Sequence, residues 1–186
     1  ACGTNNDSSK TDSTNAQDTQ ITDEQTGKQT SYPLTVTDAY GNDVIITEEP
    51  TRIISVSPSI TENLFAIDAG DLLVGRTDYC DYPQEVSAIT SVGAIDSPSM
   101  ETIVELEPDL VIASSIFTED SYEQITDLGI PVVILTDATD IDGVYTMLET
   151  LGEITNHSEE TTEVISQMVA SISDTQEKIT GLEKPS

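Results

Sequence analysis

The feature that most limits what this chain can become is a rhythm running from residue 53 to residue 156. Short apolar runs, too brief for helices, alternate with longer stretches of helical periodicity. "IIS" precedes "PSITENLFAI", and "LLVG" (72–75) precedes a polar loop. "LVIA", from Leu110 to Ala113, precedes "TEDSYEQITDLG", and "VVIL", from Val132 to Leu135, precedes "DIDGVYTMLETLGEIT". Continuous apolar runs suit strands buried on both faces, and intervening helices supply the crossovers that parallel strands need. The expected fold class is therefore α/β, a single lobe with a parallel βαβ sheet flanked by helices.

Boundary signals refine this outline. Ser57-Pro58 breaks the strand at Ile53, and Ser59 with Glu62 has the form of a capping box opening a short helix with Leu64, Phe65 and Ile67. Further helices are expected from Met100 to Leu106 and over 119–128, the latter stopped by Gly129, and "SAITSVG" (87–93) contains another strand. Upstream, Leu34 and Val36 alternate with polar residues, Gly41-Asn42 offers a turn, and Val44, Ile45 and Ile46 follow before Pro50. That pattern predicts an N-terminal β-hairpin. Downstream, residues 158–180 read as one long helix, with Val164, Met168 and Ile172 on a stripe beside Ile165 and Val169. Glu159, Glu160 and Glu163 at its start and Lys178 near its end suit the helix dipole. Residues 1–31 show no apolar period and read as a disordered tether. The organisation is thus a tether (1–31), an α/β lobe (32–156) and a long helix (157–186).

Composition excludes several functions. Six basic residues face 35 acidic ones, a net charge of −29, which repels nucleic acid and anionic lipid. No run of 18 apolar residues is present to cross a membrane as a helix. One histidine, His157, cannot build a zinc or haem site that needs several. Cys2 sits between Ala1 and a Thr-, Ser- and Asn-rich stretch, the order found at the end of a bacterial lipoprotein signal. Cys2 is therefore the expected lipid anchor, and the outer face of the cell membrane the expected location. A Cys2–Cys80 disulfide is not expected, because Cys2 belongs to the tether.

"GRTDYCDYP" (75–83) is the most distinctive stretch. A nucleophilic Cys80 would need a base, yet His157 lies at the far helix, and Asp78 and Asp81 would raise a thiol's pKa. Asp78, Asp81 and Asp96 lack the spacing of a calcium loop, and no Gly-rich phosphate motif occurs. No enzyme and no resident metal are expected. A ligand-gripping surface fits better, since tyrosines give large rigid contact area with a polar tip. This loop follows a strand directly, as "SPSIT" and "ASSIFT" also do, and α/β folds bind ligands at such loops. Tyr79 is expected against the ligand, and Tyr82, beside Pro83, against the domain.

The succession "TRIISVSPSITENLFAIDAGDLLVGRTDYCDYPQEV", "SVGAIDSPSMETIVELEPDLVIAS" and "LGIPVV" strongly resembles the substrate-binding proteins of cobalamin, haem and iron-siderophore importers. "DYCDYP" is most similar to the cobalamin-binding branch. The resemblance implies two α/β lobes joined by a long helix, of which this chain carries the first lobe and the helix, with the second lobe absent. It implies that Tyr79 lies against a corrin, that Ser57, Pro58 and Ser59 line the cleft, and that Asp78 is counted among the lining residues. Ile95 and Ser114 fall where some cobalamin binders have tryptophans. Glu101 matches an acidic residue that docks on arginines of an ABC permease. No resident cofactor is implied, the cobalt corrinoid being cargo. Haem, with Tyr79 as an iron ligand, or a ferric siderophore are alternatives within the fold; a surface-lipoprotein scaffold is one outside transport. The acidity disfavours an anionic siderophore unless Arg52 or Arg76 faces it.

Overall fold

The computed structural model describes residues 29–180. The anchor assigned to Cys2, most of the tether and the last six residues of the chain lie outside them. A five-stranded sheet is built from β3 (Ile53–Ser55), β4 (Leu73–Arg76), β5 (Thr90–Ser91), β6 (Leu110–Ser114) and β7 (Val132–Leu135). Every pairing within it is parallel, in the spatial order β5-β4-β3-β6-β7. An antiparallel hairpin, β1 (Leu34–Thr37) and β2 (Asp43–Ile46), stands apart as a second sheet.

Alternation along each buried strand sorts its side chains onto two cores. Ile53, Leu110, Ile112, Val133 and Leu135 enter one, packed under α1 (Pro58–Ala66), α4 (Ile141–Thr155) and the hairpin. Ile54, Val111, Ala113, Val132 and Ile134 enter the other, under α2 (Met100–Leu106) and α3 (Glu119–Asp127). Helices on both faces explain why these strands are apolar throughout instead of alternating with polar residues.

Local chemistry sets the helix ends. Ser99, Thr118 and Asp140 cap α2, α3 and α4, each side chain accepting a backbone N–H from the first turn. Glu107 and Asn156 close α2 and α4 in the left-handed region (φ 44° and 61°), and Gly129 follows α3 at φ 80°. The capping box expected at Ser59 and Glu62 does not form. The cap is Ser57, with Pro58 in the first turn, because proline's fixed φ and missing N–H suit that position. The strand expected over 72–75 is shifted to Leu73–Arg76 behind a 3-10 turn at Gly70–Leu72.

The long helix, α5 (Ser158–Thr180), has 23 residues and spans about 35 Å. Only its first half meets the lobe: Val164, Ile165 and Met168 pack on the first core, while Val169, Ile172 and Ile179 are exposed.

Candidate functional site

Strand order determines where a site can lie. The chain steps outward from β3 through β4 to β5, then returns to place β6 on the other side of β3. The loops leaving β3 and β6 therefore diverge at their carboxyl ends, the switch point at which open α/β sheets hold ligands. Four segments share that rim: Val56-Ser57 with the first residues of α1 after β3, Thr77–Tyr82 after β4, Val92–Ser99 after β5 and Ser115–Thr118 after β6.

The rim loops rest on a buried network of small polar groups. Thr61 Oγ1 donates to Ser55 Oγ at 2.9 Å, within reach of the Ser57 carbonyl at 3.0 Å and Cys80 Sγ at 3.2 Å. Thr77 Oγ1 meets the same sulfur at 3.3 Å, and Ser55 Oγ donates to the Ser57 carbonyl at 3.1 Å. All five residues are buried. The loop after β3 is thereby tied to the loop after β4 through side chains that never reach solvent.

Above this floor Tyr79 is 61% exposed, at the apex of its loop. Asp78 beside it is exposed, its carboxylate accepting from Ser91 Oγ at 2.5 Å and its amide donating to the Gly93 carbonyl at 2.9 Å. Pro58 is half-buried and Ser59 exposed, with the Ser57 and Ser59 hydroxyls 3.0 Å apart. Ile95 is half-buried against the second core. Ser57 and Ser114 are covered, so as placed they shape the rim and present no hydroxyl to solvent. Glu101 is exposed in the first turn of α2, at the same end of the sheet as the rim.

One placement departs from expectation, and two residues lie away from the rim. Tyr82 is 66% exposed and does not pack its loop onto the domain, because Cys80 and Val86 turn inward instead and anchor the segment. Arg52 does not face a ligand. It lies before β3, at the opposite end of the strands from the rim, donating to the carbonyls of Leu106 and Glu107 at the end of α2. His157 also sits away from the rim, half-buried, its Nδ1 2.6 Å from the Thr155 carbonyl. Arg76 ends β4 beneath the rim and gives Nη1 to the Thr77 carbonyl at 3.0 Å.

Two exposed residues at the rim were not anticipated from sequence. Ile116, in the loop after β6, is 62% exposed, and Tyr40, at the hairpin tip, is 60% exposed. Tyr40 arrives because the Ala39 amide donates to the Ile134 carbonyl at 2.7 Å and the Tyr40 hydroxyl to the Ser115 carbonyl at 3.1 Å. An apolar Ile inside "ASSIFT" and an aromatic inside the turn "DAYGN" were the available signals. Among the described residues, no three His, Cys, Asp or Glu side chains gather as metal ligands.

An α/β lobe that gathers exposed aromatic and apolar side chains at the carboxyl ends of its strands has the form of a ligand-binding protein. The comparisons agree, and the chain belongs to the periplasmic binding protein family, whose model matches residues 53–186. The family and its relatives are binding proteins for transport, not enzymes.

Over 156 residues the chain is 35% identical to an uncharacterized ABC transporter substrate-binding lipoprotein, YvrC, of Bacillus subtilis, covering 82% of this chain and 49% of that one. It is 29% identical over 149 residues to a cobalamin-binding protein of Halobacterium salinarum, covering 77% of this chain and 40% of that one. A periplasmic heme-binding protein from Pseudomonas aeruginosa shares the fold with a TM-score of 0.66 at 21% identity, over 70% of this chain and 47% of that one. The chain spans about half the length, or less, of the curated relatives it matches.

Proposed function

We propose that this chain is the corrinoid-contacting lobe of a substrate-binding protein that delivers its ligand to an ABC permease. The observation that carries the proposal is Tyr79, 61% exposed at the apex of a loop whose base is fixed by the buried Cys80 network. A rigid phenol ring on a rim with Ser59, Ile95 and Ile116 suits a large, flat, largely uncharged ligand with apolar faces and amide fringes. Charge points the same way. Of the two described arginines, Arg52 is committed to the opposite end of the sheet and Arg76 is half-buried, leaving little to attract a multiply anionic siderophore. The likeness to a cobalamin-binding relative supports the same ligand class.

Haem is the second candidate, favoured by the same exposed phenol, which suits axial ligation of iron. Glu101 is proposed as the permease-docking carboxylate, since it is exposed beside the ligand-bearing end of the lobe. Cys2 is proposed as the lipid anchor, in keeping with a relative named as a lipoprotein.

Calorimetric titration with cyanocobalamin, cobinamide, haemin and one ferric siderophore tests the ligand. Saturable binding of corrinoids alone is expected, with Tyr79→Ala weakening it by about tenfold, or ~1.4 kcal/mol. Binding of haemin alone would overturn the corrinoid assignment while keeping the site. Glu101→Ala is expected to lower affinity for the permease with ligand affinity unchanged, and equal permease binding would remove the docking role.

A further inference from the structure

A recess of about 350 Å³ opens beside the rim, lined by Tyr40, Asn42, Phe117, Glu119, Tyr122 and Ile134. Its walls come from three elements: the hairpin tip, the loop after β6 with the start of α3, and β7. The floor is firm, because Phe117 and Ile134 are buried in the second core and Tyr122 packs against it. Tyr40, in the wall, is held by its hydroxyl on the Ser115 carbonyl, and Asp38 pins the turn by accepting from the amides of Tyr40 and Asn42 at 2.9 and 2.8 Å. The recess is therefore preformed.

Its contents are specific in chemistry. Two tyrosines, one phenylalanine and one isoleucine supply apolar faces, and an amide and a carboxylate supply polar edges. An apolar cavity of roughly 150 Å³ holds a single benzene ring, so this space admits a two-ring aromatic with its polar atoms toward the mouth. Position matters as much. Tyr79 follows β4 and the recess begins beside β6, two strand spacings away, or about 10 Å. One ligand of corrin size lying on the rim would span both.

We propose that this recess is a second subsite, taking a two-ring aromatic base carried on the periphery of the ligand that Tyr79 contacts. The subsite rests on the corrinoid assignment above and gives it a specificity: corrinoids bearing a nucleotide base over those lacking one. The test is calorimetry of the chain and of its Tyr122→Ala and Tyr122→Leu variants with cobalamin and with cobinamide, which has the corrin but no base. Leucine keeps apolar bulk on α3 while removing the ring, so its result stands even if the alanine variant folds poorly. The unmodified chain should prefer cobalamin, and Tyr122→Leu should weaken cobalamin by roughly fivefold while leaving cobinamide within about twofold, as loss of one aromatic contact predicts. Equal weakening of both ligands, or of neither, overturns the subsite but leaves corrinoid binding intact. No binding of either ligand by the unmodified chain overturns the corrinoid assignment and the subsite together.

Discussion

Cys80 shows how little a residue's type reveals about its place. In sequence it lies among tyrosines and aspartates and invites a chemical role; in the fold it is 3% exposed, its sulfur meeting the hydroxyls of Thr61 and Thr77. Burial without a neighbouring base leaves it a small, polarizable filler between two rim loops. The thiol should accordingly resist a thiol-reactive probe in the native chain and react readily in denaturant; fast native labelling would show the loop to be open. Cys80→Ala should cost about 1–2 kcal/mol in denaturant unfolding, from a small void and weakened hydroxyl partners. The exposure of Tyr79 agrees with an aromatic set in a polar loop after a strand. Tyr82 was misjudged on the same evidence, since exposure depends on which neighbours turn inward. No local pattern distinguishes these two tyrosines.

At the scale of elements the strands and helices were largely readable, because buried parallel strands are continuous apolar runs and amphipathic helices repeat near four residues. What escaped were joints. The helix after β3 starts one turn-residue choice earlier than Ser59 suggests, with Pro58 in its first turn. The hairpin's reach to β7 rests on single long-range hydrogen bonds, for which sequence spacing carries no signal. Two joints yield predictions. Gly152 in α4 lies so close to α5 that an added Cβ would overlap the Thr161 side chain, so Gly152→Ala should destabilise by ~1–3 kcal/mol in chemical denaturation.

Where the chain enters the lobe, Tyr32 donates its hydroxyl to the Ile154 carbonyl at 2.8 Å. Burial, with Glu49 and Glu153 adding repulsion, pushes this phenol from 10.0 up to about 12. A raised folded pKa means the neutral phenol is the form the fold favours. Its contribution is fully present below pH 10 and is lost as pH rises toward about 12. Tyr32→Phe should flatten the decline of the denaturation midpoint across that window, and an unchanged decline would assign it to other groups.

Over the whole molecule, the rim was legible only after strand order was known. Sequence could say that polar loops follow strands, but the reversal between β3 and β6 is what gathers them. The charge, by contrast, is plain in the sequence and acts at this scale alone. The net charge is −29, and among the described residues one ion pair forms, Lys178 with Asp174 at 2.5 Å, exposed and therefore of little value. Folding concentrates like charge, and the cost falls as salt shortens the screening length from about 10 Å at 0.1 M to about 3 Å at 1 M. The melting temperature should therefore climb with sodium chloride, most steeply at the low-salt end where the screening length changes most; a flat response would show that the carboxylates are already far enough apart. The same field bears on the ligand. A corrinoid without large net charge should bind with almost the same affinity at both salt concentrations. An anionic siderophore, repelled by the lobe, should bind more tightly as the salt rises. Salt thus separates the two ligand classes by a physical property of the whole chain, independently of any contact at Tyr79.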